Sequence, residues 1–161
     1  MIDRHSENSE RRSAVSRVCE ALWRKVGVDP SKGNQSWSME RLKSGLAPWE
    51  VHFLVAAMHK GVSDRGGWVH GLHVHFDDPG SAAYTHPDQV LDAWHEVGSE
   101  AVARVVQFGL RRLFFLGYQR FEDMSSGEWE QLEDQMDKAY GENEPSLADL
   151  LMQYAQRHQG L

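Results

Sequence analysis

Three histidines, His70, His73 and His75, fall within the stretch GGWVHGLHVHF at residues 66–76. Neutral imidazoles ligate zinc, nickel, copper and iron, and a cluster of them is how such a site begins. On a strand His73 and His75 share a face, about 6.6 Å apart. On a helix His70 and His73 share it instead. Asp77, Asp78 and His86 are close enough in sequence to complete a ligand shell. The run lacks the general base and fixed third ligand of zinc-hydrolase signatures. The expectation is therefore no bound metal and no cofactor, with the three histidines as polar residues beside an aromatic cluster. A metal-binding protein or metalloenzyme on His70, His73 and His75 is the alternative.

Carboxylates make the second constellation. Glu130, Glu133, Asp134 and Asp137 recur at i, i+3, i+4 and i+7, opposite a Trp129, Leu132, Met136 stripe. On a helix that is an acidic strip roughly 10 Å long at 1.5 Å per residue. Glu122, Asp123, Glu128, Glu142 and Glu144 can reinforce it. The formal charge is −7 and it is unevenly placed: residues 1–65 hold 11 Lys and Arg against 8 Asp and Glu, and residues 121–161 hold 2 against 10. That acidic third repels phosphates, which argues against direct nucleic-acid binding, and it suits a basic protein partner. An ordinary solvated face is the plainer reading of the same residues.

Catalytic signatures are absent, and the expectation is a non-enzyme. There is no G-x-S-x-G elbow, and Gly66-Gly67 lacks the Lys-Ser/Thr of a phosphate loop. Asp77-Asp78 and Glu133-Asp134 are adjacent in sequence, and adjacent residues do not face one another on a helix. Cys19, the only cysteine, sits among Val18 and Leu22 and reads as a small hydrophobe on a helix face.

The elements that must position these residues read as helices. Val15, Val18, Cys19, Leu22 and Val26 form one stripe over about residues 10–26, followed by a loop at 27–37 and a short helical turn at Ser38–Lys43. Pro48 opens a central helix carrying Val51, Leu54, Val55 and Met58 and ending near Gly61. Thr85 is placed as the N-cap of a helix with Val90, Leu91, Trp94 and Val97 inside. Gly98-Ser99 is a corner into a helix with Val102, Val105, Val106, Leu110 and Leu113 inside. Ser125 opens a capping box for a helix to Tyr140, with Trp129, Leu132, Met136, Ala139 and Tyr140 inside. Pro145 begins a last helix, with Leu147, Leu150, Leu151, Tyr154 and Ala155 inward. Residues 66–76 alternate with a strand period but lack a partner strand, so they are either a helix or an extended piece packed on the bundle.

These elements predict an all-α fold: a single-domain helical bundle of about seven helices with short loops. Residues 1–45 read as an N-terminal helix and loop extension, and 46–161 as one compact unit. No apolar run approaches the roughly 20 residues that span a bilayer, and the polar start lacks a signal-peptide core, so a cytoplasmic protein without membrane contact is expected.

From Leu46 onward the order of segments resembles a known family. LAPWEVHFLVAAMHKGV is followed by the corner Gly66-Gly67-Trp68, then HPDQVLDAWHEVG, then SEAVARVVQFGLRRL. The segment LEDQMDKAYGENEPSLADLLMQYAQRH closes the pattern, with Leu132, Tyr140, Leu150, Leu151 and Tyr154 in register. The pattern is similar to the DNA-mimic protein 19-like family, an all-helical bacterial domain of unknown function. Around the corner this sequence departs from it, with Arg65 before the glycines and His70, Gly71 and Leu72 after them. The resemblance implies a protein that copies the negative charge of DNA and occupies the DNA-binding surface of a transcription factor. An immunity or antitoxin-like protein against a basic toxin follows the same charge logic.

Overall fold

The computed structural model describes residues 4–29, 32, 37–79, 84–141 and 146–159, with side chains from Ala14 onward. Among these residues the chain is all α: α1 (Arg4–Lys25), α2 (Met39–Gly45), α3 (Pro48–Gly66), α4 (Trp68–Phe76), α5 (Pro87–Val97), α6 (Glu100–Phe115), α7 (Ser126–Tyr140) and α8 (Leu147–His158). A single 3-10 turn, Phe121–Asp123, precedes α7. No helix among the described residues is long and apolar enough to cross a membrane.

α3 is the central element because it is apolar around most of its circumference. Phe53, Leu54, Val55, Ala56 and Ala57 are consecutive and all buried, which requires neighbours on every side. α5 and α4 pack against it closely, α8 and α1 cover other faces, and α2 touches one end. α6 and α7 pack on each other and on α4. α1 is thus part of the same core: Val15, Leu22 and Val26 are buried within it. The junction of α1 with α3 is electrostatic. Lys25 Nζ donates to both oxygens of Glu50, at 2.7 and 2.9 Å, and Glu50 also accepts the Ala47 N–H at 2.8 Å. Burial of Cys19 pushes its thiol up to about 12, which suits a packing role rather than a reactive one.

The end of α3 and the cap of α5 differ from the sequence expectation. α3 runs past Gly61 to Gly66. One helical glycine costs about 1 kcal/mol, and the Lys60–Asp64 ion pair at i, i+4 supports the added turn. The cap of α5 is His86, whose side chain accepts from the Asp88 N–H at 3.2 Å. Pro87 occupies the first helical position, so the residue just before it must be the cap; Thr85 is buried and donates its N–H to the His75 carbonyl. Residues 68–76 are helical, with Val69 and Leu72 inward. On α7 Ala139 is exposed, because Leu132 and Met136 define the buried line. Gly98 has φ +98° and ends α5, and Ser99 accepts the Val102 N–H to open α6.

Asp77 joins α4 to the turn before α7. It accepts the Phe121 and Glu122 N–H groups at 2.8 and 2.9 Å. Asp77→Ala leaves two backbone donors without their acceptor. It is expected to cost about 2–6 kcal/mol, at roughly 1–3 per donor, in urea denaturation monitored by circular dichroism.

Candidate functional site

The three α4 histidines do not converge. The His70 and His73 rings are 6.2 Å apart, whereas His75 is buried on another face with its ring 5.6 Å from His59. A helix sends positions 70 and 73 one way and position 75 another. Among the described residues the one cluster with metal-ligand spacing is His73, Asp77 and Glu122, whose donor atoms lie within 4.8 Å of one another. Those donors are already engaged. His73 Nδ1 is 2.6 Å from Asp77, Asp77 holds two backbone N–H groups, and Glu122 pairs with Arg120 at 2.7 Å. A guanidinium thus supplies the positive charge that an ion would bring. Asp78 is exposed and His86 caps α5.

The acidic residues divide into three groups. Glu122 and Asp123 pair with Arg120. Glu128 closes the α7 capping box and accepts the Tyr118 hydroxyl at 2.7 Å; these bonds, Tyr118 first and Ser125 second, hold its carboxyl below the usual range. Glu130, Asp134 and Asp137 are exposed on α7 and have no hydrogen bond or ion pair among the described residues. Glu142 and Glu144 lie outside the described residues.

Glu133 corrects the expectation of an outward strip of four. Its carboxylate turns inward and accepts the N–H groups of Trp68 and Val69 at 2.6 and 2.7 Å. The first N–H groups of a helix have no partner within it, and the cap position of α4 is Gly67, which has no side chain to satisfy them. The carboxylate arriving from α7 does so and gains from the positive end of the helix dipole. The glycine pair follows from the same geometry. Gly67 has φ +90°, and a Cβ there would lie 2.6 Å from Glu133 Oε1. A Cβ on Gly66 would lie 2.3 Å from the His70 ring.

Beside this corner lies a cleft of about 390 Å³, formed by α3, α4, α7 and α8. Trp68 and Tyr140 make one wall, with ring centroids 5.2 Å apart. Asp64, Glu133 and Asp137 line it against one ammonium, Lys60, which pairs with Asp64. His59 and Ser63 form its buried end. The Trp94 indole N–H donates to His59 Nδ1 at 3.1 Å. An indole only donates, so Nδ1 carries a lone pair and the neutral ring carries its proton on Nε2. Burial, and secondarily His75, lowers His59 to about 3. Nε2 of His59 and Oγ of Ser63 are buried and have no hydrogen-bond partner among the described residues, a condition that costs about 1–3 kcal/mol per group.

Sequence reasoning placed Glu133 on the acidic strip and did not single out His59 or Ser63. One signal was available for Glu133: positions 129, 133, 136 and 140 also stand at helical spacing, so it shares a face with Trp129, Met136 and Tyr140. His59 and Ser63, four apart on α3, gave only a shared face.

Two measurements check this geometry. Gly67→Ala is expected to destabilise the fold by about 2–4 kcal/mol, since a side chain is strained at that φ and displaces the Glu133 carboxylate; Gly127→Ala, with open space around it, is the control. For His59, the unfolded chain takes up a proton below pH 6.5 and the native state does not. Its contribution is therefore constant above pH 6.5, and it lowers stability by about 1.4 kcal/mol per pH unit as pH falls toward 3. Urea titrations from pH 7.5 to 5 should show that component in the native protein and lose it in His59→Gln. No family model, no curated protein and no solved structure matches the chain.

Proposed function

We propose that this protein is an acidic binding module that captures a basic protein partner on α7 and the adjoining mouth of the cleft. The observation that carries this reading is the row of Glu130, Asp134 and Asp137, exposed and without an ion pair among the described residues, with Lys138 the one cation on α7. Asp137 also lines the cleft, which joins the row to the Trp68–Tyr140 wall. Carboxylates so placed attract a cationic surface over about a Debye length and speed encounter. An aromatic wall beside them favours Arg or Lys side chains once contact is made.

Charge density limits how closely α7 imitates a nucleic acid. A duplex carries one negative charge per about 1.7 Å of axis, so about six over the roughly 10 Å from position 130 to 137. α7 offers three free carboxylates there. The DNA-binding transcription factor implied by the family resemblance fits as one kind of basic partner, and a basic toxin as another. Both are captured by the same electrostatics, which needs a cationic surface and not a full copy of the phosphate backbone.

Affinity capture from a bacterial lysate tests the reading. The native protein should retain a basic protein at low salt and release it steeply as salt rises. Glu130→Lys, Asp134→Lys and Asp137→Lys together should lower capture at least tenfold with the fold intact. Equal capture by this variant removes the proposal.

A further inference from the structure

The buried end of the cleft has a different chemistry from its mouth. His59 is fully buried and Ser63 Oγ is a buried atom, and neither His59 Nε2 nor Ser63 Oγ has a hydrogen-bond partner among the described residues. Buried donors without acceptors are rare in proteins. Here both belong to residues lining one cleft, and Gly71 on α4 packs tightly beside them. A Cβ on Gly71 would lie 2.3 Å from Ser63 Oγ and 3.5 Å from His59 Nε2, so both atoms flank the same point and are near enough to each other for one small acceptor to bridge them. The bond from Trp94 fixes Nε2 as the protonated nitrogen, so the pair offers an imidazole N–H and a rotatable O–H.

Charge then narrows the ligand. Asp64, Glu133 and Asp137 against Lys60 repel an anion from the cleft. An ammonium driven to the buried end would meet the His59 N–H, another donor. A neutral oxygen inside and a cation outside satisfies both ends. We propose that the cleft is a binding site for a small organic amine that also carries a neutral carbonyl or hydroxyl oxygen. The oxygen accepts from His59 Nε2–H and the Ser63 hydroxyl. The ammonium sits at the mouth beside Asp137 and the Trp68 and Tyr140 rings, where carboxylate and aromatic faces both favour it. A volume of about 390 Å³ is within the usual range of small-molecule sites. This site does not depend on whether a protein docks on α7.

A homologous series reads the distance between the two ends. The protein is titrated with amino carboxamides from glycinamide to 6-aminohexanamide, and binding is followed by NMR on the side-chain N–H signals of His59 and Trp94. Matched compounds lack one end: the alkylamine has no oxygen, the alkanamide no charge, and the amino carboxylate has an anion in place of the amide. One member of the series should saturate, shift both signals, and bind about tenfold tighter than each matched compound, the worth of one good polar contact. Ser63→Ala should remove the advantage over the alkylamine and keep that over the alkanamide. Asp137→Asn should do the reverse. Ser63→Ala changes one oxygen and Asp137 is exposed, so both variants should keep the native circular dichroism spectrum. Equal binding of the truncated compounds, tighter binding of the carboxylate, unmoved His59 and Trp94 signals, or no binding by any member overturns the proposal. Loss of protein capture with this binding intact would remove only the docking role of α7.

Discussion

The carboxylate of Glu133 on the first turn of α4 is the contact that organises the functional end of the molecule. α4 starts immediately after a glycine held at φ +90°, so its first N–H groups have no local cap, and they are partly shielded from water. Leaving two such donors bare would cost about 1–3 kcal/mol each. A carboxylate from 65 positions away satisfies both, and in doing so sets the position of α7 against the α3–α4 corner. The consequences run along α7 by helical repetition. Tyr140, two turns on from Glu133, reaches the Trp68 ring, and Asp137, one turn on, reaches the mouth of the cleft. The cleft exists where it does because a helix terminus needed an acceptor.

Polar groups are buried here in two different ways. Asp77 and Glu133 each receive two backbone N–H groups and tie an element to a distant one. Glu50 accepts one local backbone N–H, that of Ala47, and ties α3 to α1 through the Lys25 ammonium instead. Asp77 and Glu133 thus act as long-range caps, and all three carboxylates fasten one element to another beside the apolar packing. His59 and Ser63 differ, because their open atoms meet no partner among the described residues. Fully paired buried groups rigidify a fold, while buried groups left open on a cavity wall mark where a fold keeps binding capacity in reserve.

How much of this was legible depends on the range of the interaction. Val51, Leu54, Val55 and Met58 announce α3, and Gly98-Ser99 announces the α5–α6 corner, because each signal is written within one turn. The all-α class follows from such local signals. The alternation in residues 68–76 was ambiguous, since Val69, Leu72 and His75 are buried on a helix surrounded by α3, α6 and α7, and apolarity on several sides blurs any period. Glu133 failed differently. At the edge between the apolar and acidic faces of α7 its direction was undetermined, and what decided it was a bare helix terminus 64 and 65 residues earlier. The cleft was least legible, because His59 and Ser63 acquire meaning only from Trp94, Trp68 and Gly71, which come from two other helices.

The same proton assignment decides between chemistry and recognition at the buried end. A serine beside a histidine invites the thought of a nucleophile and its base, and Ser63 lies one turn from His59 on α3. A general base needs a lone pair facing the hydroxyl. In His59 the lone pair is on Nδ1 and is taken by the Trp94 indole. Moving it to Nε2 would place an N–H against an indole N–H in a fully buried site, leaving both donors unpaired. Protonating both nitrogens is opposed by burial, which is why the ring titrates near 3. His59 therefore presents a proton to the cleft and has nothing with which to accept one. With the donor role fixed by Trp94, the hydroxyl of Ser63 remains the adjustable partner, and the two together are arranged to hold an oxygen atom in place.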